Sequence, residues 1–213
     1  MVAHLLDRQR VLASYLDGIA VISELSRGFA AADWKAPTPC TEWLASDLVA
    51  HLRCVADDYH ELLDDGPGNR LARLMAPTPP PDKLARHLAR QNAAELAALP
   101  SVEPPAHVWA FVRSARRHAR RLPTVWDEPC FTYGGRSCTV GDHAGVACIE
   151  WHVHAWDLAY AIGKSYRPAD PEALASSWRS GMPHLPIGDG DPWLAVLTAS
   201  GRAAVRTAKG TGV

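Results

Sequence analysis

Apolar runs long enough to cross a membrane are absent from this 213-residue chain, and so is any strong excess of one charge. A spanning helix needs about 20 mostly apolar residues, so no membrane segment is expected. The stretch from Met1 to Arg8 turns charged before a signal-peptide core can form, which argues against export. With a formal net charge of −1, nothing global draws the chain to nucleic acid or to an anionic membrane. The five cysteines, Cys40, Cys54, Cys130, Cys138 and Cys148, form an odd set without CxxC spacing. That pattern fits a reduced, cytoplasmic protein better than a disulfide scaffold. Internal repeats are missing, and the one biased run is the proline cluster at 77–81.

What is present is 47% apolar residues in a length that suits one ordinary domain, or a domain with an appendage. Residues 4–27 place Leu5, Leu12, Leu16, Ile19 and Ile22 at helical spacing, and Gly28 ends that helix. Residues 33–43 carry too many prolines for a helix and read as a loop pinned by Trp34 and Trp43. A second helix is predicted from about Ser46 to Asp64, with Leu48, His51, Leu52, Val55, Tyr59 and Leu62 on one face. Gly66-Pro67-Gly68 and the proline cluster then bracket a short link, and a third helix follows from about Asp82 to just before Pro100. After Pro104-Pro105, one helical face carries Val108, Phe111, Val112, Ala115, Ala119 and Leu122. The opposite face carries Arg113, Arg116, Arg117, Arg120 and Arg121 and reads as solvated. Tyr133-Gly134-Gly135-Arg136 reads as a tight turn between two short strands. Thr139 is placed to cap a helix lasting to Gly163, apolar on several faces and so expected to be the most buried. A short helix over about 171–180 and a short element at 193–197 complete the chain.

Within the 140–163 helix, Glu150 and His154 stand four residues apart and therefore one above the other. They interrupt a stripe of Ala147, Leu158 and Ala161 that would otherwise pack against neighbouring helices. A bare carboxylate buried there is expensive, so it must be protonated, paired or bound to a cation. His51, in the middle of another apolar face, reads alone as a core histidine bonded to a carbonyl. Beside the Glu150/His154 pair it becomes a third inward ligand, and His51, Glu150 and His154 form a candidate metal set. Zinc suits it first, with nickel, iron or cobalt as alternatives. Three protein ligands leave one position open, as in catalytic zinc sites, where a bound water or thiol is held as its anion. Asp157 reads either as an outer partner that orients a ligand or as a surface aspartate. His143, two turns before Glu150, is expected at the rim of the site or just behind its ligands, and His152 outside it.

The strings Trp34 to Trp43, Asp47 to Leu52 and Glu150 to Ala159 resemble the mycothiol-dependent maleylpyruvate isomerase metal-binding family, within the DinB-like superfamily of four-helix bundles. Ser200-Gly201-Arg202 also resembles that family's C-terminal end. Leu44 stands where a Ser or Thr would cap the second helix, leaving Ser46 as its substitute. The resemblance implies an all-α, DinB-like four-helix bundle over residues 1–165, followed by a short appendage over 166–213. It also implies a divalent metal on His51, Glu150 and His154, and a low-molecular-weight thiol such as mycothiol at the open position. The expected partners are that thiol and a small electrophile, and the expected activity is thiol S-transfer or thiol-dependent isomerisation. The competing readings are a non-catalytic, metal-bearing binding module and a zinc hydrolase.

Overall fold

A computed structural model describes residues 6–40, 43–77 and 80–202. Among these residues it holds eight α-helices and one two-stranded sheet. The frame is built from α1 (Arg8–Arg27), α2 (Ala45–Asp65), α5 (Pro104–Val125) and α6 (Val140–Ala161). Helix α5 packs along both α2 and α1, and α1 packs along α6. The fourth side of the frame, between α2 and α6, is the least extensive of the four. Between the frame helices lie α3 (Arg70–Met75), α4 (Pro81–Ala98), β1 (Pro129–Tyr133) and β2 (Arg136–Thr139). Beyond α6 come α7 (Pro171–Gly181), laid on α6, and α8 (Pro192–Ala199), laid on α7. No helix of the described residues is long and apolar enough to cross a membrane.

Helix α6 is the most buried element, with 17 of its 22 residues inside. Its start is fixed as the sequence indicates: Asp142 N–H donates to Thr139 Oγ1 at 3.2 Å, and Thr139 N–H donates back to the Asp142 carboxylate at 3.0 Å. Gly163, at φ +73°, follows the C-terminus in a conformation that favours glycine. Beneath α6, Gly18 of α1 lets the two helices approach closely. A Cβ added there would lie 2.7 Å from Trp151 Cβ.

Several elements differ from the sequence expectation. The start of α1 expected at residue 4, with Leu5, lies outside the described residues, as do Thr41 and Glu42 of the loop. Within α1 the buried face is Val11, Tyr15, Gly18, Ile19 and Ile22, while Leu16 is half exposed. Ser46 does not cap α2, which starts at Ala45 with Leu44 as N-cap, its N–H donating to the Asp47 carboxylate at 2.9 Å. The Asp47 carboxylate thus supplies the back-bonding half of a capping box, while Leu44 has no side-chain oxygen to accept from the first-turn N–H groups. The short link after Gly66 contains a helix of its own, α3, which Asn69 caps by accepting from Leu71 N–H at 2.8 Å. The Gly134–Gly135 turn does join two strands, with Tyr133 paired to Arg136. Both glycines have positive φ.

Candidate metal centre

His51 from α2 and the Glu150/His154 pair from α6 meet across that fourth side of the frame. Glu150 Oε1 lies 3.3 Å from His51 Nε2 and 3.0 Å from His154 Nε2. The two imidazole rings stand nearly perpendicular, with centroids 5.3 Å apart. Two atoms each 2.0–2.1 Å from a tetrahedral zinc are about 3.4 Å apart, so the three donors already stand near ligand spacing. Both histidines are buried, whereas the Glu150 side chain keeps 31% of its surface open, toward a cavity of about 460 Å³.

The charges answer one another. Burial disfavours the Glu150 carboxylate, but His154 and His51 outweigh it and hold its pKa well below the usual range. Burial likewise opposes a charge on His154, yet Glu150, Asp157 and Cys40 overcome that and raise it well above the ordinary value. His51 moves the other way, lowered chiefly by burial. Without a cation, then, the proton rests on His154 and the negative charge on Glu150. A divalent ion would replace that proton.

Behind His154 stands a second layer. His154 Nδ1 is 2.9 Å from Asp157 Oδ2. An ionised carboxylate only accepts, so Nδ1 keeps its hydrogen; the proton a cation would displace is the one on Nε2 facing Glu150, and its loss would turn the Nε2 lone pair toward Glu150 and His51. Asp157 is fully buried, which rules out the surface reading. Its own charge is met by Arg202, whose Nη2 donates to Oδ2 at 2.8 Å and whose Nε donates to Oδ1 at 3.3 Å. Cys40 Sγ lies 3.2 Å from both Asp157 Oδ2 and Arg202 Nη2. Cys40, His154 and Asp157 are themselves close enough to hold a cation, but the guanidinium already provides one there. The His51, Glu150, His154 group makes no hydrogen bond or ion pair to an arginine or lysine among the described residues.

The family model for the mycothiol maleylpyruvate isomerase N-terminal domain matches residues 15–159. The chain belongs to this family. No curated protein and no solved structure matches it. The matched span contains the three triad residues, together with Cys40 and Asp157, and the DinB-like bundle is the fold of this family. Arg202 lies beyond the span, in the segment after α8, and still reaches the layer behind the triad.

The remaining sequence candidates fall elsewhere. His143 is not at the rim: it is buried in another layer of the core, its ring 4.4 Å from Tyr59 and 5.7 Å from His118. His152 is outside the site as expected, fully buried and bonded to Ser14 and Tyr166. Arg113, Arg116, Arg117 and Arg120 are exposed, while Arg121 is half-buried and pairs with Asp64 at 2.7 Å. None of the five lines the cavity beside the triad. Sequence spacing gave no means of placing Cys40, and it did not implicate α4, which supplies one wall of that cavity through Ala85, Leu88, Ala89, Asn92 and Ala93.

Proposed function

We propose that the protein is a metal-dependent thiol enzyme that joins a low-molecular-weight thiol, mycothiol by family, to a small electrophile. Isomerisation is the special case in which the thiol is released again. The observation that carries this reading is the triad at the edge of a cavity, with two buried imidazoles and one carboxylate that still faces open space. Zinc suits two nitrogen donors and one oxygen donor at this spacing, and when bound it would hold a thiol as its thiolate near neutral pH.

The chain's own residues have distinct tasks. Glu150 supplies the negative charge, and His51 and His154 supply neutral donors. Asp157 fixes the His154 tautomer, and Arg202 keeps Asp157 ionised and in place. Trp43 packs on the His51 ring at 4.6 Å and limits its rotation. The electrophile would enter from the α4 side, the open side of the triad. The reading includes action in the cytoplasm, where small thiols stay reduced.

The test is metal content and turnover together. Purified protein is expected to hold close to one divalent ion per chain by elemental analysis after dialysis against a mild chelator. The His154→Ala variant should lose it, with consumption of thiol and electrophile lost in parallel. Equal metal content in the two proteins would return all three residues to the core.

A further inference from the structure

The cavity beside the triad is chemically lopsided. On one wall, α4 offers Ala85, Leu88 and Ala89, and on the other α6 offers Val146, Ile149 and Val153. Successive alanines one turn apart leave a shallow, flat wall, because each side chain ends at Cβ. Among the described residues Arg202 is the one arginine or lysine lining this space. Its guanidinium is committed, with Nη2 and Nε on Asp157 and Nη1 on Ser200 O at 2.6 Å. An anion entering between α4 and α6 would thus shed water without meeting a free fixed counter-charge on either wall. With a divalent ion and a thiolate in place, the ion's two positive charges are balanced by Glu150 and the sulfur.

One polar group on the α4 wall stands free. The Asn92 side chain lines the cavity and has no hydrogen-bond partner among the described residues. It offers two donors and one acceptor. We propose that the electrophile is an uncharged molecule with an apolar body and one carbonyl oxygen, seated between α4 and α6 with the oxygen on the Asn92 amide. The inference rests on the thiol-enzyme reading only in calling the ligand an electrophile. The ligand class itself follows from the walls.

The test uses two unreactive probes that share a ring system and differ in charge, 2-acetylnaphthalene and 2-naphthoate. Calorimetric titration of the zinc-loaded protein in 2-mercaptoethanol should show the ketone binding at least about tenfold more tightly, since that ratio needs only about 1.4 kcal/mol. Ala89→Trp fills the space from a helix position that is exposed, and should weaken the ketone about tenfold or more with helical circular dichroism unchanged. Leu88→Arg should reverse the preference toward the carboxylate. Naphthoate binding as tightly as the ketone, absence of ketone binding, or an Ala89→Trp protein that binds it like the wild type would each overturn the proposal. No turnover enters the readout. A protein that keeps the ketone preference but never consumes thiol would sink the enzyme reading alone.

Discussion

The hydrogen on His154 Nδ1 decides how that ring can meet a metal. Because Asp157 accepts it at 2.9 Å, Nε2 is held unprotonated on the triad side once a cation arrives. Asp157→Asn removes the carboxylate's charge and the fixed acceptor, so metal affinity should fall about 10–100-fold, measured by competition with a chromophoric chelator. An unchanged affinity would reduce Asp157 to a packing partner of Arg202. His152→Ala is the contrasting case. It leaves the triad untouched but strips the Tyr166 hydroxyl and Ser14 Oγ of a partner, at about 1–3 kcal/mol for a group left unsatisfied. Metal content should be normal and the denaturation midpoint lower. Glu150, His154 and Asp157 were legible in the sequence because four- and three-residue spacings on one helix translate directly into distance. His143 shares that helix face by angle, but seven residues of rise is about 10 Å, enough to place it in a different layer. Cys40 and Arg202 reach the site from 114 positions before His154 and 45 after Asp157, separations that only the tertiary fold resolves.

At the scale of elements, the position of α6 depends on how near α1 can come. Gly18→Ala would put a Cβ 2.7 Å from Trp151 Cβ and 3.3 Å from His152 Nε2. Alanine favours a helix over glycine by about 1 kcal/mol, whereas overpacking costs about 1–3 kcal/mol. A net loss of roughly 1 kcal/mol is therefore expected in urea denaturation. A gain would mean that the two helices slide apart without penalty. The heavy burial of α6 was readable from its apolarity on several faces, as were the Thr139 cap and the hairpin at Gly134–Gly135. The role of α4 was not. Its sequence shows an ordinary amphipathic period, and most of its residues stay exposed because it rests chiefly on α2 among the frame helices. A helix that forms one wall of an open cavity resembles, in one dimension, any other surface helix.

For the molecule as a whole, acid should unfold the protein through its interior histidines as well as through the triad. Burial lowers the His143 pKa from the ordinary 6.5 to about 4, and burial, reinforced by His143, His60 and Arg121, holds His118 well below its usual value. Between those values and 6.5 the unfolded chain binds more protons than the folded one, so stability is lost as pH falls through that window. The lowering at His143 corresponds to about 3 kcal/mol of stability at neutral pH. His154 has the opposite sign in metal-free protein: its raised pKa adds stability that is complete below 6.5 and fades as pH rises through the folded value. Added zinc must displace that proton. The rise in melting temperature on zinc addition should therefore grow from pH 6 to pH 8, in matched scanning calorimetry with and without metal. A zinc effect independent of pH would place the ion elsewhere. The narrow fourth side of the frame gives such an ion a further role. His51 and Glu150 are 99 positions apart, and all five cysteines are free, so the chain has no covalent cross-link of its own. An ion shared by α2 and α6 would close a loop of that length in any partly unfolded state that retained it. It would cut the chain's entropy much as a disulfide does, yet a change in pH or a chelator could undo it.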